Sequence, residues 1–297
     1  MIAAKGYAVQ NPTTPLAPFR FERREPGPAD VQIDILYCGV CHSDIHQARD
    51  EWGGSIYPMV PGHEIVGRVT EVGANVKKFA KGDLAAVGCL VDSCRTCDNC
   101  KRGLEQYCRN GSVATYNAYE KDGKTPTYGG YSNRIVVRED FVLKVPKNLP
   151  LEAVAPLLCA GIVGFRALKR AGVQHGERVG LYGYGASAHL CQQVLRDWGC
   201  EVLVFTRGQV HQTLARELGA IWTGQAQETP PAPLLDRAVM FAPAGWIVPL
   251  ALGHLRPGGT LCINAIHASP IPEMPYELLW PERTLTTVAN VTRRDAE

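Results

Sequence analysis

Residues 178–208 read RVGLYGYGASAHLCQQVLRDWGCEVLVFTRG. A short apolar run (178–183) ends in glycines at Gly183 and Gly185, and the helix-period stretch SAHLCQQVLRDW (187–198) follows, with Ser187 near its start. The β-branched run EVLVFT (201–206) completes a strand–helix–strand unit. Gly183 permits the tight turn, and Gly185 lets backbone approach a pyrophosphate. Ala188 replaces the third glycine where helix meets strand. The anion would then sit on the helix N-terminus. A lone G-x-G-x-x-A is weak evidence, and its flanking strands and helix strengthen it. Sites that bind an unphosphorylated ribose place an acid at the end of the second strand. Here that strand ends Phe205-Thr206-Arg207-Gly208, without an acid. A hydroxyl and a guanidinium suit a 2′-phosphate, so the expected cofactor is NADP(H). The alternative reading of Arg207 is a solvated loop charge.

Downstream, QVHQTLAREL (209–218) continues as a helix, the Pro-rich GQAQETPPAPLL (224–235) as a loop, and AVMFAPA (238–244) and GTLCINA (259–265) as strands. This alternation is the pattern of a doubly wound parallel sheet. The stretch TLTTVANVTRRDAE (284–297) reads as a strand and then a helix start capped by Asn290 or Thr292. One turn of helix is unstable alone, so the chain reads as shortened at its C-terminus.

Upstream the texture differs. LEAVAPLLCAGIVGFRALKRA (151–171) carries helical periodicity. Before it, VQIDILYC (31–38), VGRVTEVG (66–73), LAAVGCLV (84–91) and SNRIVVRED (132–140) read as strands, with residues 110–130 as a surface loop. Two domains are expected for 297 residues, and 45% apolar with 20% charged residues excludes a disordered chain. No stretch approaches the roughly 18 apolar residues of a membrane helix. Thirty-one Lys and Arg against 29 acids leave +2, with no footprint for nucleic acid or anionic membrane. The opening MIAAKGYAVQNP has no basic region followed by an apolar run, which points to a cytoplasmic chain.

Eleven cysteines, seven of them between Cys38 and Cys108, favour metal binding over a disulfide framework. Cys94, Cys97, Cys100 and Cys108 have the spacing C-x2-C-x2-C-x7-C. Four thiolates on one loop can close a tetrahedron around Zn²⁺ and leave no open position. Their −2 charge calls for N–H donors and cations, and Arg95, Lys101 and Arg102 stand beside them. A nucleic-acid zinc ribbon, an iron–sulfur cluster and coincidence are the rivals. The second concentration of ligand-type residues is CGVCHSDIH (38–46) with PGHE (61–64). Cys41 and His63 are candidates for a catalytic zinc, which takes three protein ligands and keeps one position open. Asp44 and Glu64 are candidate carboxylates for orienting the histidine. Spacing alone does not choose the third ligand.

Together GVCHSDIH (39–46), PGHEIVG (61–67), the four-cysteine loop and PLLCAG (156–161) resemble the zinc-dependent medium-chain alcohol dehydrogenases. Residues up to about 160 are most similar to the cinnamyl-alcohol-dehydrogenase branch, which is largely NADPH-dependent aldehyde reductases. From about Gly164 onward the chain is more similar to another bacterial zinc-alcohol-dehydrogenase branch. The resemblance implies an α/β protein with a GroES-like β-barrel catalytic domain (1–155) followed by a Rossmann domain (156–297), without the segment that returns to the catalytic domain. It implies two zincs, a catalytic one on Cys41, His63 and Cys159 and a structural one on the four-cysteine loop. Ser43 and His46 match a proton relay, a role suited to imidazole. His42 and Val163 fall toward the cofactor, Val163 where the family usually has a hydroxyl residue, and Trp52 and Leu90 fall where the branch lines its substrate pocket. For Trp52 and Leu90, ordinary core packing is the alternative. A homodimer through the Rossmann edge, with GTLCINA in that part, is also implied. The expected reaction is hydride transfer between NADP(H) and a primary alcohol or aldehyde, chiefly reduction of aromatic or medium-chain aldehydes. A catalytically impaired zinc- and nucleotide-binding protein is the alternative.

Overall fold

Residues 1–231 and 234–297 are described by the computed structural model. Contacts divide the chain into one unit of Met1–Cys159 with Val291–Glu297 and a second of Ala160–Asn290. The sequence boundary at 155 thus moves to Cys159, and Val291–Glu297 belong with the first unit.

The first unit contains β1 (Ile2–Ala8), β2 (Ala17–Arg23), β3 (Asp30–Cys38), α1 (His42–Ala48), β4 (Ile65–Val72), β5 (Leu84–Val87), β6 (Leu90–Asp92), α2 (Asp98–Lys101), β7 (Val113–Ala114), β8 (Arg134–Arg138), β9 (Leu143–Lys144) and α3 (Leu151–Val154). Its main sheet is antiparallel in the order β8-β3-β4-β5-β9. Val31, Ile33, Ile65, Val87 and Val137 are fully buried in one core, each worth roughly 1.5–3 kcal/mol of burial.

Three expectations need correction here. The run 84–91 is not one strand. It breaks at Gly88, where a Cβ would lie 2.8 Å from the Leu158 carbonyl oxygen, so close approach of backbone interrupts the pairing. Residues 110–130 are a surface loop only in part: residues 121–124 are exposed, but Thr115, Tyr116 and Thr127 are buried. Pairing of β7 with β6 and the Thr115 N–H to Cys89 O bond of 3.1 Å satisfy that backbone. The helical period over 151–171 is also interrupted. Pro156 leaves a 3-10 turn, Ala155–Leu158, then Cys159 at φ −123°, ψ −70°, before a new helix begins.

The second unit runs α4 (Ala160–Ala171), β10 (Arg178–Tyr182), α5 (Ala186–Asp197), β11 (Glu201–Phe205), α6 (Gln209–Glu217), β12 (Trp222–Gly224), β13 (Leu235–Met240), α7 (Ile247–Gly253), β14 (Leu255–Ile263) and β15 (Thr284–Thr287). Of the predicted loop 224–235, residues 232 and 233 lie outside the described residues. All six strands are parallel, in the order β12-β11-β10-β13-β14-β15. Counted from β10 this is the Rossmann order, whose crevice opens beyond the carboxyl ends of its first and fourth strands. Most of GTLCINA lies inside the sheet as part of β14, and the two edges are β12 and β15. No single helix among the described residues is long and apolar enough to cross a membrane.

The short helix α8 (Arg293–Ala296) does begin at Thr292, as one of the two predicted caps. Thr292 and Asp295 form a reciprocal capping box, with the Thr292 N–H donating to Asp295 Oδ2 at 2.9 Å. Tertiary contacts supply what one turn lacks. Arg293 Nε donates to Glu105 Oε1 at 2.7 Å, and its guanidinium lies 5.5 Å from the Phe141 ring centre. Glu105 is 1% exposed, in a 3-10 turn between Cys100 and Cys108. Replacing Arg293 by Ala strands a buried carboxylate and should cost about 1–3 kcal/mol. The exposed Lys78–Glu297 pair, 3.5 Å long, should contribute at most about 1 kcal/mol. Denaturant melts of Arg293→Ala beside Glu297→Gln check this, and equal stabilities would refute the ranking.

Candidate metal and cofactor sites

Asp44 organises the first site. Its carboxylate is 3% exposed and accepts four hydrogen bonds. Oδ1 accepts from the Gly62 N–H at 3.0 Å and His63 Nδ1 at 3.1 Å. Oδ2 accepts from the Cys41 N–H at 3.0 Å and the Tyr131 hydroxyl at 3.1 Å. Burial alone would raise the Asp44 pKa, but these donors, His63 first, hold it below the usual carboxylate value. The carboxylate therefore fixes the Nδ1–H tautomer of His63 and leaves Nε2 as the ligand atom.

Cys41 precedes α1, His63 precedes β4, and Cys159 follows the 3-10 turn. The ligand atoms of all three lie within 4.8 Å of one another, and the two sulfurs are 3.9 Å apart. Two thiolates on a tetrahedral zinc are separated by roughly 3.8 Å, so the donor set fits the ion. Without a cation the neighbouring Cys159 thiol, then burial, pushes Cys41 up to about 12. A metal bound here must displace protons from its ligands.

The other predicted residues surround this core unevenly. His42, Ser43 and His46 lie on α1, with no Ser43–His46 hydrogen bond among the described residues. His46 Nδ1 meets the Glu51 carboxylate, and its ring stacks on Trp52 with centres 5.0 Å apart. Leu90 belongs to the barrel core beside Val91 and Val113. Glu64 is buried, its carboxylate held against Gly39 where a Cβ would be 2.1 Å from Oε2. The sequence reading missed Tyr131 and Tyr116, whose ring stacks on His63 at 5.6 Å. Both come from distant segments without ligand-type spacing.

In the four-cysteine loop the ligand sulfurs again lie within 4.8 Å of one another. The expected N–H donors are backbone: Cys94 N–H to Cys108 Sγ at 3.3 Å, Cys97 N–H to Cys94 Sγ at 3.3 Å and Arg109 N–H to Cys97 Sγ at 3.5 Å. The backbone N–H groups of Cys97 and Thr96 bring the Cys94 thiol down to about 5, whereas burial pushes Cys100 up to about 11. Arg95 turns instead to Asp92 and the Ser93 carbonyl, and Arg109 pairs with Asp98. This donor set fits a closed structural zinc.

The second unit carries the residues expected at a nucleotide. Gly183 has φ +87°, and a Cβ there would lie 2.8 Å from the Ala242 nitrogen, so the position needs glycine. Gly185 precedes α5, and a Cβ there would meet nothing within 4 Å, leaving open space beside the helix N-terminus. Ala188 is fully buried where α5 meets the sheet. Thr206 is buried and Arg207 exposed at the end of β11. Val163 is half-buried on α4. The open cradle and the acid-free strand end fit NADP(H).

Residues 27–147 match the alcohol dehydrogenase GroES-like domain. NADP-dependent alcohol dehydrogenase C 1 of Mycolicibacterium smegmatis is 42% identical over 291 residues, covering 96% of this chain and 83% of the relative. Aldehyde reductase YahK of Escherichia coli is 50% identical over 208 residues, covering 69% of this chain and 59% of the relative. The crystal structure of CAD from Helicobacter pylori complexed with NADP(H) superposes with a TM-score of 0.89 at 37% identity, covering 99% of this chain and 86% of that one. Such identity over nearly the whole length, on a fold that gathers Cys41, His63 and Cys159 around one carboxylate, places the chain in the zinc-dependent medium-chain alcohol dehydrogenase family.

Proposed function

We propose that the chain transfers hydride between NADP(H) and a primary alcohol or aldehyde, working chiefly as a reductase of aromatic or medium-chain aldehydes. The convergence of Cys41, His63 and Cys159 within 4.8 Å carries this reading. When bound there, zinc supplies a Lewis acid that polarises a carbonyl oxygen. NADPH supplies the hydride from its nicotinamide.

The chain's own residues do the rest. Asp44 keeps the His63 Nδ1–H in place so that Nε2 remains a neutral ligand atom. His46, held between Glu51 and Trp52, is the group assigned to pass a proton, with Ser43 one turn earlier on α1. Gly185 clears the space for a pyrophosphate, and Arg207 with Thr206 receives a 2′-phosphate. The four-cysteine loop would hold a second zinc with no open position, which makes that ion structural. A homodimer through an edge of the parallel sheet belongs to this reading, and sedimentation equilibrium at twice 32.4 kDa is the expected result.

Oxidation of NADPH by cinnamaldehyde, with and without chelator, tests the reaction. Zinc-dependent turnover that favours NADPH over NADH is expected. Cys41→Ser should lose turnover and one zinc per chain, with the four-cysteine zinc retained. Full activity in that variant would overturn the ligand assignment. Absence of turnover in protein that holds two zincs and binds NADPH would select the impaired reading instead. Arg207→Glu should remove the preference for NADPH, and an unchanged NADPH/NADH ratio would refute the role of Arg207.

A further inference from the structure

Two backbone breaks meet beside the candidate metal triad, and each carries a cysteine. The first is the interruption between β5 and β6, where Gly88 and Cys89 belong to neither strand. The second lies between the 3-10 turn and α4, where Cys159 has φ −123°, ψ −70°. The breaks touch through the residues just before the cysteines, since a Cβ on Gly88 would lie 2.8 Å from the Leu158 carbonyl oxygen. The missing side chain at 88 thus lets the two backbones approach and sets Cys89 next to Cys159. Thr115 pins this segment from the other side. Its hydroxyl donates to the Gly88 carbonyl, and its N–H donates to the Cys89 carbonyl at 3.1 Å. The two thiols also act on each other. The Cys41 thiol lowers the Cys159 pKa, but Cys89, then burial, pushes it up to about 11. Cys89 is a half-buried free thiol and stands outside the set of Cys41, His63 and Cys159. Cys38, the other cysteine of this region, turns instead to the Gly39 carbonyl at 3.5 Å.

We propose that Cys89 and Cys159 are a disulfide-forming pair, closed by hydroperoxides, and that closing it takes the triad apart. The consequence for zinc rests on the metal reading above, whereas the bond itself does not. The Cys159 sulfur, as the thiolate that a metal ligand must be, attacks one peroxide oxygen. The O–O bond breaks, and the departing hydroxide takes up a proton to leave as water, so Cys159 becomes a sulfenic acid. The Cys89 sulfur then attacks the Cys159 sulfur. An S–S bond forms, the S–O bond breaks, and the Cys89 proton leaves with the oxygen as a second water. Two thiols have lost two electrons and one peroxide has gained them. A sulfur in a disulfide is no longer a thiolate, so only Cys41 and His63 remain of the three ligands a catalytic zinc takes. A bond between Cys41 and Cys159 would need two ligands of one ion to leave together. Cys89 is the neighbour that ligand duty does not occupy. Thiol–disulfide exchange reverses the bond, whereas a sulfenic acid without a partner goes on to sulfinic acid and is lost.

The test adds hydrogen peroxide to the zinc-loaded protein, alkylates the remaining thiols and reads the unreduced peptides by mass spectrometry, with the released zinc counted alongside. A peptide pair joined through Cys89 and Cys159 is expected, formed in step with loss of one of the two zincs. Dithiothreitol and added zinc should return both thiols and the ion. Cys89→Ser should hold both zincs before treatment, but its Cys159 should end as sulfinic acid and the lost zinc should not rebind after reduction. Cys89→Ala should behave in the same way. Cys159 joined to Cys41 would overturn the pair, as would zinc lost through links within the four-cysteine loop while Cys89 is still alkylated. Full recovery of zinc by reduced Cys89→Ser would overturn it too. A Cys89–Cys159 bond formed with both zincs retained would instead overturn the ligand role of Cys159 and leave the pair standing. A starting content of one zinc, held by the four-cysteine loop, would overturn the metal reading and its loss on oxidation together.

Discussion

A single buried carboxylate holds the candidate catalytic centre together. Asp44 accepts from the backbone at Cys41 and Gly62, from the His63 ring and from the Tyr131 hydroxyl. These four donors come from the start of α1, the segment before β4 and the segment before β8. An unsatisfied carboxylate at this depth would cost several kcal/mol, so the segments are held at mutually consistent positions or the charge is lost. The ligand geometry is thus a by-product of satisfying one anion. Cys41 and His63 are placed by the same atoms that fix their neighbours' backbone.

The two sulfur sites solve opposite electrostatic problems. In the four-cysteine loop, backbone N–H groups point at sulfur and bring the Cys94 thiol down, while burial pushes Cys100 up to about 11. At the triad, the neighbouring thiol and burial push Cys41 up to about 12, and the cation must compete with protons.

Much of this was legible because it is local. The four-cysteine spacing, the glycines at 183 and 185, and the Thr292 cap are all encoded within a few residues of the groups they serve. The parallel sheet also followed, because β–α alternation with short connections leaves few topologies. What stayed hidden depends on pairing across long separations. Tyr131 lies 87 residues from Asp44, and Glu105 lies 188 from Arg293. The polar composition of 110–130 suggested solvent throughout, yet Thr115, Tyr116 and Thr127 are buried, beside a strand pair whose partner β6 is about twenty residues away in sequence. Periodicity over 151–171 did not register the backbone change at Pro156 and Cys159, which brings the Cys159 sulfur to Cys41 and His63.

The docking of Arg293 on Glu105 has a consequence for how the chain is made. The two residues are separated by 188 positions, and the whole second unit lies between them. At about 5–20 residues per second, Arg293 follows Glu105 through the ribosome by roughly 10–40 s. Throughout that interval the cysteine-rich lobe must collapse around a carboxylate whose guanidinium has not been synthesised. The first unit therefore gains this contact only after the second unit has been synthesised. The unit begun first is the one finished last.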